Sequence, residues 1–215
     1  MSRKYGIVFS IVQENKPLPG CTVSGELLPG VICFSLAKGT DISAERYPVP
    51  ILQYSLSGYT ELSCREDGKK ATTGQGEAIL KEAGKDIAVK AETDSVYLEI
   101  ALGKEGIMNS SIKAGEVFKL KDLVPYADGK IVNMDVISND AMKFVVMSFD
   151  KGCALTEHAA PGDAIIFALD GEGVIGYEGT DHPIKAGENF RFAKGGLHSV
   201  KATERFKMAL LLTVN

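Results

Sequence analysis

An internal repeat constrains this chain more than any other feature of its sequence. The matched segments, first copy before second, are Ser35–Gly39 with Ser148–Gly152, Pro48 with Pro161, Gly58 with Gly171, Gly76-Glu77 with Gly187-Glu188, and Val89–Ala91 with Val200–Ala202. The offset shortens by two residues across the turn Arg65–Lys70 of the first copy. Glycine and proline impose backbone constraints, so their recurrence in register indicates a duplicated unit. We expect units at 1–106 and 107–215, each of common domain size.

Short apolar or alternating runs, separated by Gly, Asp and Asn, predict an all-β chain. These runs are Val31–Phe34, Ile51–Leu56, Val96–Ile100, Phe144–Met147, Ala164–Leu169 and Met208–Leu212. The apolar stretch Tyr5–Val12 predicts a first strand, and helical character is expected at a short turn from Leu120 to Leu123. Combined with the repeat, the pattern predicts two tandem β units, each a sandwich or a barrel.

Composition argues against several classes of partner. The formal net charge is -4 and no run rich in Lys and Arg occurs, which excludes a phosphate-binding surface for nucleic acid. No stretch approaches the ~20 apolar residues that cross a bilayer, so we expect no membrane span and a cytoplasmic protein. Cys21, Cys33, Cys64 and Cys153 lack CxxC or Cys/His spacing, which predicts free thiols.

Two blocks in the second unit resemble the motifs of the cupin superfamily. The first block starts at Gly152, reaches His158 six residues later and closes at Gly171, and the second is Ala193–His198. The first block is similar to that of small bacterial cupins of unassigned activity. The resemblance implies two tandem cupin-like jelly-roll barrels, each a double-stranded β-helix with any site in the barrel mouth.

The resemblance also implies a metal site, but part of the ligand set is missing. Metal-binding cupins use three imidazoles and a carboxylate, and this chain matches two positions with His158 and His198. Ala160 stands at the second histidine and Ala164 at the glutamate. A divalent metal (Zn, Fe, Mn or Ni) would therefore need further donors. The alternative is that both histidines are neutral pocket residues that contact a polar ligand or each other.

The expected ligand-binding residues of the second barrel are His158, Asp163, Ile166, Phe192 and His198. Asp163 lies one residue before the glutamate position, so strand alternation turns it away from the pocket unless the bend at Pro161-Gly162 re-aims it. A third histidine, His182, is expected on a surface loop.

The first copy is expected to be degenerate, because Glu45 stands where His158 does and Ile87 where His198 does. A lone buried carboxylate is costly, so Glu45 should be exposed or paired, with Arg46 as a candidate partner. The pocket of this barrel should be filled or repurposed.

Three functions remain open at this level. The second barrel could bind a small polar molecule between its histidines and apolar walls. It could be a cupin enzyme of the isomerase, lyase or dioxygenase type, with the histidines as acid–base groups or metal ligands. It could also be a structural scaffold, as a monomeric pseudo-dimer or a homodimer.

Overall fold

The computed structural model describes residues 5–103 and 107–214, which fold almost entirely into antiparallel strands. The strands are β1 Val8–Phe9, β2 Thr22–Leu28, β3 Val31–Leu36, β4 Asp41–Arg46, β5 Ile51–Ser57, β6 Thr60–Cys64, β7 Lys70–Thr73, β8 Glu77–Lys81, β9 Asp86–Ala91, β10 Ser95–Ala101, β11 Ile107–Met108, β12 Val117–Lys119, β13 Ile131–Ser138, β14 Met142–Phe149, β15 Ala154–Ala159, β16 Asp163–Tyr177, β17 Thr180–Lys185, β18 Asn189–Phe192 and β19 Leu197–Thr213. An α-helix spans Ile11–Glu14 and a 3-10 helix spans Leu120–Asp122. The all-β prediction is confirmed.

The chain forms two compact units, and two short segments belong to a different unit from the one expected. The first unit runs from Val12 to Lys119, and the second combines the residues up to Ile11 with those from Leu120 onward. Strand β1 pairs with β18 in the second unit, and β12 pairs with β8 in the first. The division expected at 106/107 falls beside residues 104–106, which lie outside the described residues.

The first unit is a sandwich of two sheets. One sheet has the order β12-β8-β5-β10-β3-β2, and the other has the order β4-β9-β6-β7. Side chains from both sheets form one apolar cluster, for which Phe34, Ile79 and Tyr97 come from the first sheet and Leu62 and Val89 from the second. Because strand side chains alternate between faces, this cluster identifies which residues point between the sheets.

The second unit is built around two long strands, β16 and β19, which pair with each other along most of their length. The order β1-β18-β16-β19-β14-β13 forms its main path, with β15 added to β19 and β17 to β16. The pairing of β16 with β19 shifts register between Ala168 and Asp170 and again between Gly171 and Gly173. Such irregularities bend a strand, which lets one strand serve both faces of a barrel.

The backbone confirms the repeat at its glycines. Gly58 and Gly171 both have positive φ (72 and 70 degrees), and a Cβ atom at either position would overlap a backbone carbonyl oxygen, that of Asp94 or of Arg205. Glycine alone tolerates both the conformation and the close approach. The same local structure therefore occurs at the same place in both units.

Three smaller expectations concern the N-terminal stretch, the cysteines and membrane-spanning segments. The stretch Tyr5–Val12 was expected to be one strand, but only Val8–Phe9 pairs, and the helix Ile11–Glu14 follows at once. The amide of Ile11 donates to the Asn189 side chain, which fixes this early turn. All four cysteines are free, as expected. In the described ranges, no helix has the length and apolar character needed to span a membrane.

Candidate functional site

Two histidines of the second barrel lie side by side on neighbouring strands. His158 in β15 and His198 in β19 are direct cross-strand partners, and their ring centroids are 4.2 Å apart. His158 is exposed, whereas His198 is only 6% exposed. The first copy reproduces this backbone pairing, since Glu45 and Ile87 are partners in the same way. The pair thus occupies a position that the fold creates twice, with imidazoles present in one copy.

Backbone carbonyl groups orient both rings. The Nδ1 atom of His158 lies 2.8 Å from the carbonyl oxygen of Thr156, and that of His198 lies 3.3 Å from the carbonyl oxygen of Gly196. A carbonyl oxygen only accepts, so the proton is assigned to Nδ1 and the Nε2 lone pair is left as an acceptor. Burial lowers the pKa of His198 below its ordinary value, the charge of His158 lowers it further, and the Gly196 carbonyl opposes both effects. His198 is therefore held in its neutral form.

Aromatic rings fill the barrel behind the histidine pair. Phe192 lies against His198 with ring centroids 4.1 Å apart, and Phe190 and Tyr177 pack next to it. Ile166 belongs to the same buried cluster. The pair thus has an apolar, aromatic floor, and the exposed His158 forms its outer edge.

Asp163 has different partners. One of its carboxylate oxygens accepts a hydrogen bond from the Tyr5 hydroxyl at 3.0 Å, and the other accepts from the backbone N–H of Lys194 at 3.0 Å. The next residue, Ala164, is buried in the interior cluster, as strand alternation requires. Among the expected ligand-binding residues, His198 contacts both His158 and Phe192. Ile166 lies in the buried cluster that contains Phe192, whereas Asp163 ties the N-terminal segment to the barrel.

His182 was expected on the surface, and this expectation is wrong. The residue lies within β17 and is partly buried, with its ring centroid 5.0 Å from that of Phe190. Its strand neighbour Ile184 is buried, and the residues between and around them are exposed. His182 therefore points inward because it shares the phase of Ile184, which the loop-like composition of this segment concealed.

The donor set does not fit a metal held by the protein alone. Among the residues that the structure describes, no group of three or more His, Cys, Asp and Glu side chains is arranged to hold a metal ion. The interior positions that would complete the site are occupied by Ala160 and Ala164, which are buried and carry no donor atom. One ring face of His198 is also covered by Phe192. Two imidazoles leave a divalent ion short of the ligands it normally takes.

The first barrel contains a polar cluster that the sequence patterns missed. Lys81 and Glu99 are both buried and form an ion pair with a 2.5 Å N–O distance. The hydroxyl of Tyr47 contacts Glu99 at 2.9 Å and Glu45 at 2.5 Å. The sequence did contain a signal for this cluster. Glu99 interrupts the apolar run Val96–Ile100 and lies two residues after Tyr97, so both side chains point to the same face of the strand.

Glu45 is exposed, in agreement with the first alternative given for it, but its partner is Tyr47 and not Arg46. The Arg46 guanidinium instead pairs with Glu66 and Asp86. Adjacent residues of a strand point to opposite faces, which separates Arg46 from its neighbour.

Comparisons with known proteins agree with this geometry. The family model described as a cupin domain matches residues 145–214. A cupin 2 conserved barrel domain protein from Leptotrichia buccalis is 26% identical with a TM-score of 0.83, covering 98% of this chain and 97% of that one. No curated protein gives a significant match.

Two more distant structures share the fold. Salicylate 1,2-dioxygenase from Pseudaminobacter salicylatoxidans is 8% identical with a TM-score of 0.64, covering 89% of this chain and 76% of that one. A variant of oxalate decarboxylase from Bacillus subtilis is 12% identical with a TM-score of 0.55, covering 100% of this chain and 78% of that one. The chain is thus a tandem jelly-roll protein of the bicupin type. Residues 145–214 match the cupin domain, and the whole chain has the fold of the tandem cupins.

Proposed function

We propose that the second barrel binds a small polar molecule at the pair formed by His158 and His198. The observation that carries the proposal is the orientation of the two rings, whose Nδ1 atoms both lie at backbone carbonyl oxygens. With Nδ1 engaged, each ring is left with Nε2 to accept; the two ring centroids are 4.2 Å apart, and the His198 ring lies 4.1 Å from that of Phe192. A few convergent polar groups on an apolar floor are typical of small-molecule sites.

The chemistry of the pair favours a neutral ligand that is rich in hydrogen-bond donors. Neutral imidazoles accept hydrogen bonds through Nε2, and burial keeps His198 in that form. A carboxylate ligand also only accepts, so it would face two acceptors without a donor between them. Hydroxyl and N–H groups complement the pair, which ranks sugars and nucleobases above organic acids as ligands.

Metal-dependent oxidation or decarboxylation is a weaker candidate for this barrel. Such chemistry needs an ion held in a fixed geometry, and Ala160 and Ala164 contribute no donor. Acid–base catalysis of an isomerase or lyase type stays compatible with the pair, because one imidazole is exposed and the other is buried. It would rest on the same ligand contacts, so binding is the property to test first.

The test measures the nuclear magnetic resonance signals of the imidazole rings. The sequence contains three histidines, His158, His182 and His198. Long-range proton–nitrogen correlation spectra of the full chain resolve both ring nitrogens of each imidazole. Without ligand, His158 and His198 should both show the Nδ1–H tautomer. Titration with a panel of pentoses, hexoses, free nucleobases and short organic acids should shift their Nε2 resonances in at least one of the first three classes.

His182 serves as the matched control, because it lies in the same barrel but packs on Phe190 and not on the pair. Its resonances should move less than those of His158 and His198. A His198→Gln variant should lose the response of His158 to the same compound. A panel in which no compound moves the two resonances more than those of His182 would refute the proposal.

A further inference from the structure

The first barrel contains a cavity of about 200 Å³ that is open to solvent on one side. Leu62, Ile79 and Ile87 supply apolar walls, and Lys81 lines the same space. The direction of Lys81 follows from its strand, because it lies two residues after Ile79 in β8 and therefore faces the interior with it. A lysine thus lines a cavity with apolar walls and charged residues around it, in the barrel that the sequence identified as degenerate.

The amine is held by a carboxylate that is also buried. The side chains of Lys81 and Glu99 are 3% and 6% exposed, and the ammonium donates to Glu99 across 2.5 Å. Desolvation lowers the pKa of Lys81 from its ordinary value, while Glu99 and Glu45 oppose this effect. A desolvated lysine in an apolar pocket is the setting in which an amine acts as a nucleophile toward carbonyl groups.

Protons can reach this pair from the surface along a chain of contacts. Glu45 is exposed, the Tyr47 hydroxyl contacts both Glu45 and Glu99, and Glu99 contacts Lys81. A phenol has one proton, so Tyr47 can donate to either Glu45 or Glu99 and links the two carboxylates. Burial and the two carboxylates raise the pKa of Tyr47, so its hydroxyl keeps that proton.

The polar cluster around Glu99 also includes a second phenol. The hydroxyl of Tyr97 is fully buried and has no hydrogen-bond partner among the described residues. Its ring stacks on Phe34, and it lies within electrostatic range of Glu99, Tyr47 and Glu45. Tyr97 does not line the cavity, so the residue of this cluster that a bound molecule can reach is Lys81.

We propose that this cavity is a covalent binding site for small carbonyl compounds, in which the Lys81 amine forms an imine with an aldehyde or a 2-oxo acid. Three lysines also line the cavity, Lys69, Lys70 and Lys85, against the acids Asp67 and Glu82. Lys70 also pairs with Glu61, so the carboxylate of a 2-oxo acid would compete with these acids for the lysine ammonium groups. The site is independent of the histidine pair in the other unit.

The proposed step balances without an external reagent. The nitrogen of Lys81 bonds to the carbonyl carbon while the C=O bond breaks. Two of the three ammonium protons pass to the oxygen, with Glu99 accepting and returning them, and the oxygen leaves as water. The iminium keeps the third proton and the positive charge, so Glu99 retains a cationic partner in the buried site.

The experiment incubates the full chain with pyruvate, or with propanal in a parallel arm, reduces it with sodium borohydride and maps the modified lysines by mass spectrometry. Lys81 should carry more of the reduced adduct than Lys69 or Lys70, because desolvation lowers its pKa and so raises the fraction of free amine. Stronger labelling by pyruvate than by propanal would show that the lysines at the rim recognise a carboxylate. Equal labelling would show that the carbonyl group alone is recognised.

Two variants serve as controls for this experiment. Lys81→Arg keeps a cation beside Glu99 but removes the nucleophilic amine, so it should lose the adduct and keep the circular dichroism spectrum of the parent chain. Lys38→Arg, at an exposed lysine of the same unit that does not line the cavity, should leave the adduct on Lys81 unchanged. If neither compound modifies Lys81 more than Lys69 in the parent chain, the proposal is wrong, and this result does not depend on whether Lys81→Arg folds.

Discussion

Replacing Lys81 with methionine should destabilise the first unit by about 3 to 4 kcal/mol near neutral pH. The substitution removes the cation that contacts Glu99, which is only 5% exposed. Removing one partner of a buried ion pair typically costs about 3 to 5 kcal/mol. Protonation of Glu99 sets an upper limit on this loss of stability. Neutralising a carboxyl group with an unfolded-state pKa of about 4.3 costs about 3.7 kcal/mol at about pH 7.

The same reasoning fixes the direction of the pH dependence. In the variant, the folded-state pKa of Glu99 rises above its unfolded value, so the folded chain binds more protons than the unfolded chain. The destabilisation is therefore greatest at neutral pH and is relieved as the pH falls toward about 4.3. Each pH unit should recover up to about 1.4 kcal/mol relative to the parent chain.

Urea unfolding of the parent and the variant measures this difference. The chain contains no tryptophan, so tyrosine fluorescence and far-ultraviolet circular dichroism are the suitable probes. A double variant, Lys81→Met with Glu99→Leu, should regain most of the lost stability, because two apolar side chains replace the pair. A loss below about 1 kcal/mol that does not change with pH would contradict the reasoning, since an uncompensated buried charge gives neither result.

Three further perturbations test the second barrel. Gly171→Ala should lower the free energy of unfolding by at least about 3 kcal/mol, because its Cβ would overlap the Arg205 carbonyl. Gly179 has a similar φ but open space, so Gly179→Ala should lower it by about 1 kcal/mol. Thermal or urea unfolding measures both. The folded-state pKa of His198 is lowered, so the free energy of unfolding should fall as the pH drops below about 6.5. In His198→Gln, unfolding curves measured across this pH range should show a weaker dependence of stability on pH. Asp163→Asn should cost about 1 kcal/mol through weaker contacts with Tyr5 and Lys194, as measured by thermal unfolding, and an unchanged midpoint would contradict its anchoring role.

Local patterns predicted the duplicated architecture well because its markers are residues with strict backbone requirements. Gly58 and Gly171 have positive φ and no room for a Cβ atom, and glycine is the residue type that tolerates both conditions. The pairing of His158 with His198 followed from the same register. These features depend on spacing, and spacing is visible along a single sequence.

Features that depend on distant pairing could not be predicted in this way. Strand β1 finds its partner in β18, and nothing in the local composition of either strand specifies that match. In the sequence, Lys81 and Glu99 are charged residues between apolar neighbours, and nothing marks them as buried. Only the structure of the sheet shows that both face the interior. His182 was misassigned for the same reason, because the phase of a short strand is set by the sheet it joins.

The exchanged strands have a consequence for synthesis on the ribosome. Val8 and Phe9 emerge early, yet their pairing partners are Phe190 and Asn189, which are made near the far end of the chain. Strand β1 must therefore wait for this partner while the residues between Phe9 and Asn189 are translated. A nascent first barrel can close once β12 has emerged, whereas the second barrel is completed by a segment that was made before either barrel existed.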